Sequence, residues 1–320
     1  MTSLRTPTGR ELGAWPSGSP EWHAARRNRL GGSSVAAVLG LSKWQSPYGL
    51  WCEMAELVGT EPQTAAQARG HYLEAGVAAW FADRHPEWGV HKAGTYVHKE
   101  RGWQLANPDR LICETPPPSA AGDVDVRAVA SALLEIKTDA DGRDWGRPGT
   151  DEIPLYYMTQ VQWYMDVLGL PVTYVAVLTG RLEFREYVVD YDPAAAAEMR
   201  LRGEAFIASL LLEEAPPLDT RKATYETLRR RHPMIDRERK HLVDTSLGVE
   251  VIDALQELET AQDRVTSAKS KLLAAMGTAY RAYFNGELLA TRTAKGVDGV
   301  PYLKFEPNLP DVTDLVGAYL

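Results

Sequence analysis

Leu133-Leu134-Glu135-Ile136-Lys137 has the composition of a buried strand interrupted by two charges. Successive side chains on a strand alternate between faces, so Leu134 and Ile136 point one way and Glu135 and Lys137 the other, about 7 Å apart. A carboxylate and an ammonium on one face of a buried strand are unfavourable unless something compensates them. Upstream, Asn107-Pro108-Asp109 leads into another short strand-like run, Arg110 to Cys113. Carboxylates on two neighbouring strands suit Mg2+, which takes oxygen ligands and keeps several waters. Such an ion polarises a phosphodiester and lowers the pKa of an attacking water. A lysine ammonium beside it positions that water or stabilises charge developing on phosphorus. Alone, a Glu-x-Lys pair is far more often a solvated strand face, so the flanking segments matter.

Three flanks point the same way. In the helix expected over about 65–83, Glu74 falls in register with Val77, Ala78 and Phe81, on the apolar stripe. A carboxylate there calls for a cation, unless it sits at the stripe's edge with a solvated head. In the helix expected from Pro154 to Gly169, Met158, Val161, Met165 and Leu168 make the buried stripe, and Tyr157, Gln160 and Tyr164 line another face. Those three side chains suit a phosphate, an ion's water shell or a base, or else form an ordinary solvent face. Trp22-His23-Ala24-Ala25-Arg26 is followed by Gly31-Gly32-Ser33-Ser34. A glycine turn opening a helix presents backbone N–H groups to an anion, and Arg26 adds a bidentate charge. The plain alternative is a helix cap. No Walker A loop is present.

These segments occur in a telling order: W-H-x-x-R, GGSS, R-G-x-x-x-E, N-P-D, L-E-I-K and Y-M-x-Q-V-Q. Together, over about residues 20–215, they resemble the phage lambda exonuclease family and the YqaJ-type viral recombinases of the PD-(D/E)XK nuclease superfamily. The resemblance implies a restriction-endonuclease-like core of α/β (α+β) class, a central mixed sheet flanked by helices. It implies metal ligands at Asp109, Glu135 and the backbone carbonyl of Ile136, with Glu74 supporting the ion through water. Lys137 matches the catalytic lysine and Gln160 the glutamine beside it. Arg26 and Ser33 match the 5′-phosphate pocket, and Ser34, Tyr157 and Tyr164 are further candidate contacts to the DNA. The implied cofactor is Mg2+, with Mn2+ able to substitute. The implied activity is 5′→3′ degradation of one strand of duplex DNA from its ends. This leaves 3′ single-stranded tails for a single-strand annealing protein in phage-type recombination. A trimeric ring is the implied assembly. A nicking or structure-specific endonuclease of the same fold, and a non-catalytic DNA-binding assembly module, are the alternative readings. The loop containing Pro116-Pro117-Pro118 is longer than in the lambda-type form, and nothing after Pro217 matches that enzyme.

The bulk composition fits. At 320 residues with 44% hydrophobic and 24% charged content, the chain has room for one large domain and an appendage. No apolar run approaches the roughly 20 residues a membrane span requires, and no signal-peptide core is visible. Two cysteines, Cys52 and Cys113, rule out a four-cysteine metal site. A cytoplasmic protein of phage or prophage origin in a bacterial host is expected. The net charge of −8 argues weakly against a nucleic-acid partner, but basic residues cluster locally. Arg221 to His241 carries eight Lys or Arg against three acids.

The expected organisation is a flexible arm over 1–20, an exonuclease domain over 21–215 and an extension over 216–320. Two short helices are expected between Trp22 and Leu57, then the 65–83 helix, strands near 90–98, 102–106, 110–113 and 133–137, and the 154–169 helix. A hairpin follows over 172–189, then a helix capped by Asp192-Pro193. Ala215-Pro216-Pro217 marks the boundary. The extension holds a basic segment, a charged helix over about 250–276 resembling one arm of a helical hairpin, and a terminal β-hairpin or three strands over 282–305.

Overall fold

A computed structural model describes residues 4–59, 62, 64–114, 129–296, 298–307 and 309. The proline-containing loop after Glu114 lies outside the described residues. Two compact units are present, the first ending at Ile235 and the second starting at Asp236.

The first unit begins with β1 (Gly9–Gly13), α1 (Pro20–Arg26), β2 (Leu30–Gly31), α2 (Gly32–Val38), α3 (Pro47–Met54) and α4 (Ala65–Arg84). Then come β3 (Trp88–Lys92), β4 (Thr95–His98), β5 (Gln104–Ala106), β6 (Arg110–Glu114) and β7 (Ala132–Asp139). It continues through α5 (Leu155–Leu168), β8 (Val172–Thr179), β9 (Phe184–Asp190), α6 (Pro193–Leu211) and α7 (Lys222–Arg231). A five-stranded sheet of order β3-β6-β7-β8-β9 is antiparallel except for the β7–β8 pair, which α5 connects as a crossover. A second, four-stranded sheet has the order β1-β4-β5-β2. This is the expected α/β class, a mixed sheet flanked by helices.

Local chemistry explains the element ends. Thr64 and Gln67 form a reciprocal capping box that starts α4. Ser19-Pro20, Ser46-Pro47 and Asp192-Pro193 start α1, α3 and α6 with a side-chain cap and proline in the first turn. Gly169, at φ 71°, ends α5 in the left-handed conformation that glycine adopts without strain. Covered on both faces, the central strand β7 opens with three consecutive buried apolar residues, Ala132 to Leu134. Leu134 and Ile136 enter a core with Val77, Ala78 and Phe81 of α4, while Leu133 enters the main core with Val161 and Met165 of α5. Full burial of each such side chain contributes roughly 1.5–3 kcal/mol. Glu135 and Lys137 are the exceptions on the α5 side.

Four expectations need correction. From Leu4 onward the N-terminal arm packs against the first unit: β1 pairs antiparallel with β4, Leu4 is buried, and the Thr8 N–H and hydroxyl donate to the Leu168 and Val167 carbonyls. Its Gly, Pro and Ser content had suggested mobility, but strand pairing satisfies the backbone. Three helices, not two, precede residue 57, because Leu41 to Ser46 breaks the pattern. The 90–98 strand divides between two sheets at Ala93-Gly94. A Cβ on Gly94 would lie 2.8 Å from the Gly13 carbonyl oxygen, so glycine permits this close crossing. Finally, the first unit runs through α7 rather than stopping at 215. Arg231 donates to the Tyr48 hydroxyl at 2.6 Å, and Arg221 donates to the Gly40 and Ser42 carbonyls.

The second unit contains α8 (Thr245–Met276) and a meander of β10 (Arg281–Phe284), β11 (Glu287–Thr293) and β12 (Tyr302–Phe305). No second helix folds back on α8 among the described residues, so the helical-hairpin expectation is not met. No helix of the described residues is long and apolar enough to cross a membrane.

Candidate active site

Asp109, immediately before β6, and Glu135, on β7, converge on one cleft of about 400 Å3. The Ile136 N–H donates to Asp109 Oδ2 at 2.7 Å, fixing one carboxylate against the strand that bears the other. Lys137 Nζ donates to Glu135 Oε1 at 2.6 Å and to Gln160 Oε1 at 3.1 Å. Gln160 Nε2 donates to the same Glu135 oxygen at 2.7 Å and to the Tyr164 hydroxyl at 3.1 Å. The one-face placement of Glu135 and Lys137 follows from strand alternation. Gln160 and Tyr164 reach them because they lie one turn apart on α5.

Burial dominates the electrostatics. It pushes the Asp109 carboxyl well above the usual range, and neighbouring Glu135 pushes it further. Burial also raises Glu135, against the pull of Lys137. Burial opposes the charge on Lys137, but Glu135 and Asp109 outweigh it and hold the ammonium above its ordinary value. Tyr164 is raised by burial and by Glu135, so its hydroxyl stays protonated. The second Glu135 oxygen, Oε2, is buried without a hydrogen-bond partner. A buried, unpartnered carboxylate oxygen beside a second acid fits a hard divalent cation, since it leaves a strong acceptor to be satisfied. No group of three His, Cys, Asp or Glu side chains is gathered for a metal among the described residues. A cation here therefore depends on Asp109, Glu135, backbone oxygen and water.

The other expected residues divide. Glu74 lines the cleft, but its cation is Arg110, whose Nη1 donates to Glu74 Oε1 at 2.6 Å and to the Asp109 carbonyl at 2.6 Å. Arg26 and Ser33 line the same cleft, with Arg26 Nη2 donating to Ser33 Oγ at 3.3 Å. Ser34 is not among the lining residues. Tyr157 also lies outside the lining; its ring instead faces Lys137, with Nζ 4.6 Å from the ring centre.

Three contributors went unassigned in the sequence. Asn107 accepts from Arg26 Nη1 at 2.9 Å and donates to Thr95 Oγ1 at 2.5 Å. Trp22 supports the Arg26 guanidinium at 4.3 Å. Arg110 pairs with Glu74. Asn107 and Trp22 lie within quoted motifs, whereas only the fold brings Arg110 to α4.

Residues 21–176 match the model of the YqaJ-like viral recombinase domain. The matched segment, just under half of the chain, is similar to that domain. It contains every residue named above as lining the cleft. The chain is 32% identical over 219 residues to the uncharacterized protein YqaJ of Bacillus subtilis, covering 66% of this chain and 63% of that relative. Among solved structures, an alkaline exonuclease of Laribacter hongkongensis is 25% identical, with 61% of this chain and 94% of that chain covered and a TM-score of 0.47. A phage-related exonuclease of Haemophilus somnus is 13% identical, with 58% and 96% covered and a TM-score of 0.42.

Proposed function

We propose that the YqaJ-like domain is a metal-dependent 5′→3′ exonuclease of duplex DNA with a PD-(D/E)XK active site. The observation that carries this reading is the convergence of Asp109, Glu135 and Lys137 on the cleft that Arg26 and Ser33 also line. Asp109, Glu135 and the Ile136 carbonyl would hold Mg2+ or Mn2+, with Glu74 acting through water. When bound, the cation supplies Lewis-acid polarisation of the phosphodiester and a lowered pKa for water.

The chain's own residues do the rest. Lys137, kept cationic by two acids, orients the attacking water and faces the charge that develops on phosphorus. Gln160 clamps both Glu135 and Lys137, limiting their rotamers before substrate arrives. Arg26, braced by Trp22 and Asn107, offers its guanidinium edge to a terminal 5′-phosphate. Strand degradation from that end leaves a 3′ tail, the substrate of an annealing protein. The trimeric ring implied by the family resemblance belongs to the same proposal.

The test is a digest of 5′-phosphorylated linear, 5′-hydroxyl linear and closed circular duplexes, with and without Mg2+. Release of mononucleotides from linear DNA alone, dependent on Mg2+, is expected. Lys137→Ala should lower turnover by about 100- to 1,000-fold, the scale of losing one charge-stabilising group, with DNA binding retained. Cleavage of circles would favour an endonuclease. Undiminished turnover in the Lys137 variant would remove the catalytic assignment.

A further inference from the structure

No residue of α8 is buried. Its sequence is nevertheless patterned for a partner. Val251, Leu258 and Val265 recur every seven residues, as do Ala254, Ala261 and Ala268, displaced by three. That 3-4 spacing is the a and d seam of a coiled coil. Leu258 and Val265 are 53% and 51% exposed, far more than a seam tolerates without a partner. The positions flanking the seam, one residue before each a position, are Glu250, Glu257, Arg264 and Lys271. The acids occupy the first half of the helix and the bases the second.

We propose that α8 is a self-association helix that pairs antiparallel with α8 of a second copy of this chain. Turned end for end, the seam matches itself. Val251 meets the second copy's Ala268, Leu258 meets its Ala261, and Val265 meets its Ala254. Each layer then sets one large side chain against one small one, the alternation that fills a narrow interface. The flanking charges fall into register in the same arrangement. Glu250 meets Lys271 of the second copy, Glu257 meets Arg264, and the two-fold axis repeats both pairs. A parallel pair would instead oppose Ala to Ala in alternate layers and set Arg264 beside Lys269, a like-charge contact. The flank on the other side, Leu255 opposite Gln262, carries no repulsion in the antiparallel arrangement. The two-fold operation makes the interface isologous, so each such contact joins two copies of the helix. The inference is independent of the catalytic reading, since it uses only the second unit.

Light scattering coupled to size exclusion on the full chain tests it, using exposed residues of the second unit. The double variant Glu250→Lys/Glu257→Lys makes every flank basic, and its mass should fall to half that of the parent. The fourfold exchange, adding Arg264→Glu and Lys271→Glu, inverts the pattern and should restore the parent mass. Equimolar mixing of the all-basic double variant with the all-acidic Arg264→Glu/Lys271→Glu variant should also restore it. The same mass in parent and double variant would overturn the proposal, as would failure of the fourfold exchange to recover association.

Discussion

Lys137 is the side chain on which two buried carboxylates depend. With Asp109 and Glu135 both raised by burial, the site holds its charge only through this ammonium, the Ile136 N–H and Gln160. Arg26 is built for a different task. Burial lowers its pKa, yet two of its nitrogens are spent on Asn107 and Ser33 and its face rests on Trp22. Arg26→Ala should therefore reduce cleavage of 5′-phosphorylated ends by about 10–100-fold, the worth of one charged hydrogen bond. Hydroxyl ends should be nearly unaffected. Steady-state rates on the two end types check this, and equal losses would contradict a phosphate pocket.

His98 gives the residue scale a pH signature. It is buried, and its Nδ1 accepts from the Glu100 and Arg101 N–H groups at 3.1 Å each. Burial, then Arg101, lowers its pKa below the ordinary value of 6.5. Because the unfolded chain takes up this proton first, the stabilisation is complete above the unfolded pKa. It is lost as pH falls from there toward the folded pKa. His98→Gln, which keeps an acceptor but cannot titrate, should flatten the stability profile below about pH 6.5. Urea denaturation across that window measures the effect, and parallel profiles for the two proteins would contradict it.

At the scale of elements, α5 organises the first unit. From Thr159 to Leu168 every residue is buried, so the solvent face allowed by the sequence does not exist. One side offers Gln160 and Tyr164 to the cleft. Another sends Asp166 to Arg101, Gln104, Tyr191 and Arg200, tying together the turn after β4, β5, the residue after β9 and α6. The start of α2 docks against this helix so closely that a Cβ on Gly32 would lie 2.5 Å from the Tyr164 ring and 3.1 Å from the Gln160 carbonyl. Gly32→Ala should cost about 1–3 kcal/mol through overpacking. Because the Tyr164 hydroxyl accepts from the Gln160 amide that clamps Glu135, turnover should drop as well. Thermal melts and single-turnover rates test both, and a fully active, equally stable variant would show that the contact gives way freely.

The compact unit that carries the cleft extends past the proline pair at 216–217 to Ile235. Chain ends chosen on these two criteria should behave differently. A chain ending at Ile235 should retain both its melting temperature and its nuclease activity. One ending at Ala215 loses α7, with the Arg231 bond to Tyr48 and the Arg221 bonds to the Gly40 and Ser42 carbonyls. Its Tm should drop by about 5 °C, taking roughly 2–4 °C per kcal/mol for a unit of this size. Calorimetry of the two chains distinguishes them, and identical melting temperatures would place the boundary back at the prolines.

Much of this organisation was readable from local pattern. Alternation on one strand put Glu135 and Lys137 side by side, and cap residues marked where α5 stops and α6 starts. The order of the short motifs pointed to the recombinase family. Such features are set by backbone geometry within a few residues, so they survive in the linear text. Partner choice does not. That Glu74 meets Arg110, that residues 9–13 complete a sheet, that Tyr157 covers Lys137 and that Gln160 braces two opposite charges were decided by packing between distant segments. Those contacts exist only where burial removes water and leaves polar groups no partners but the ones that folding brings to them.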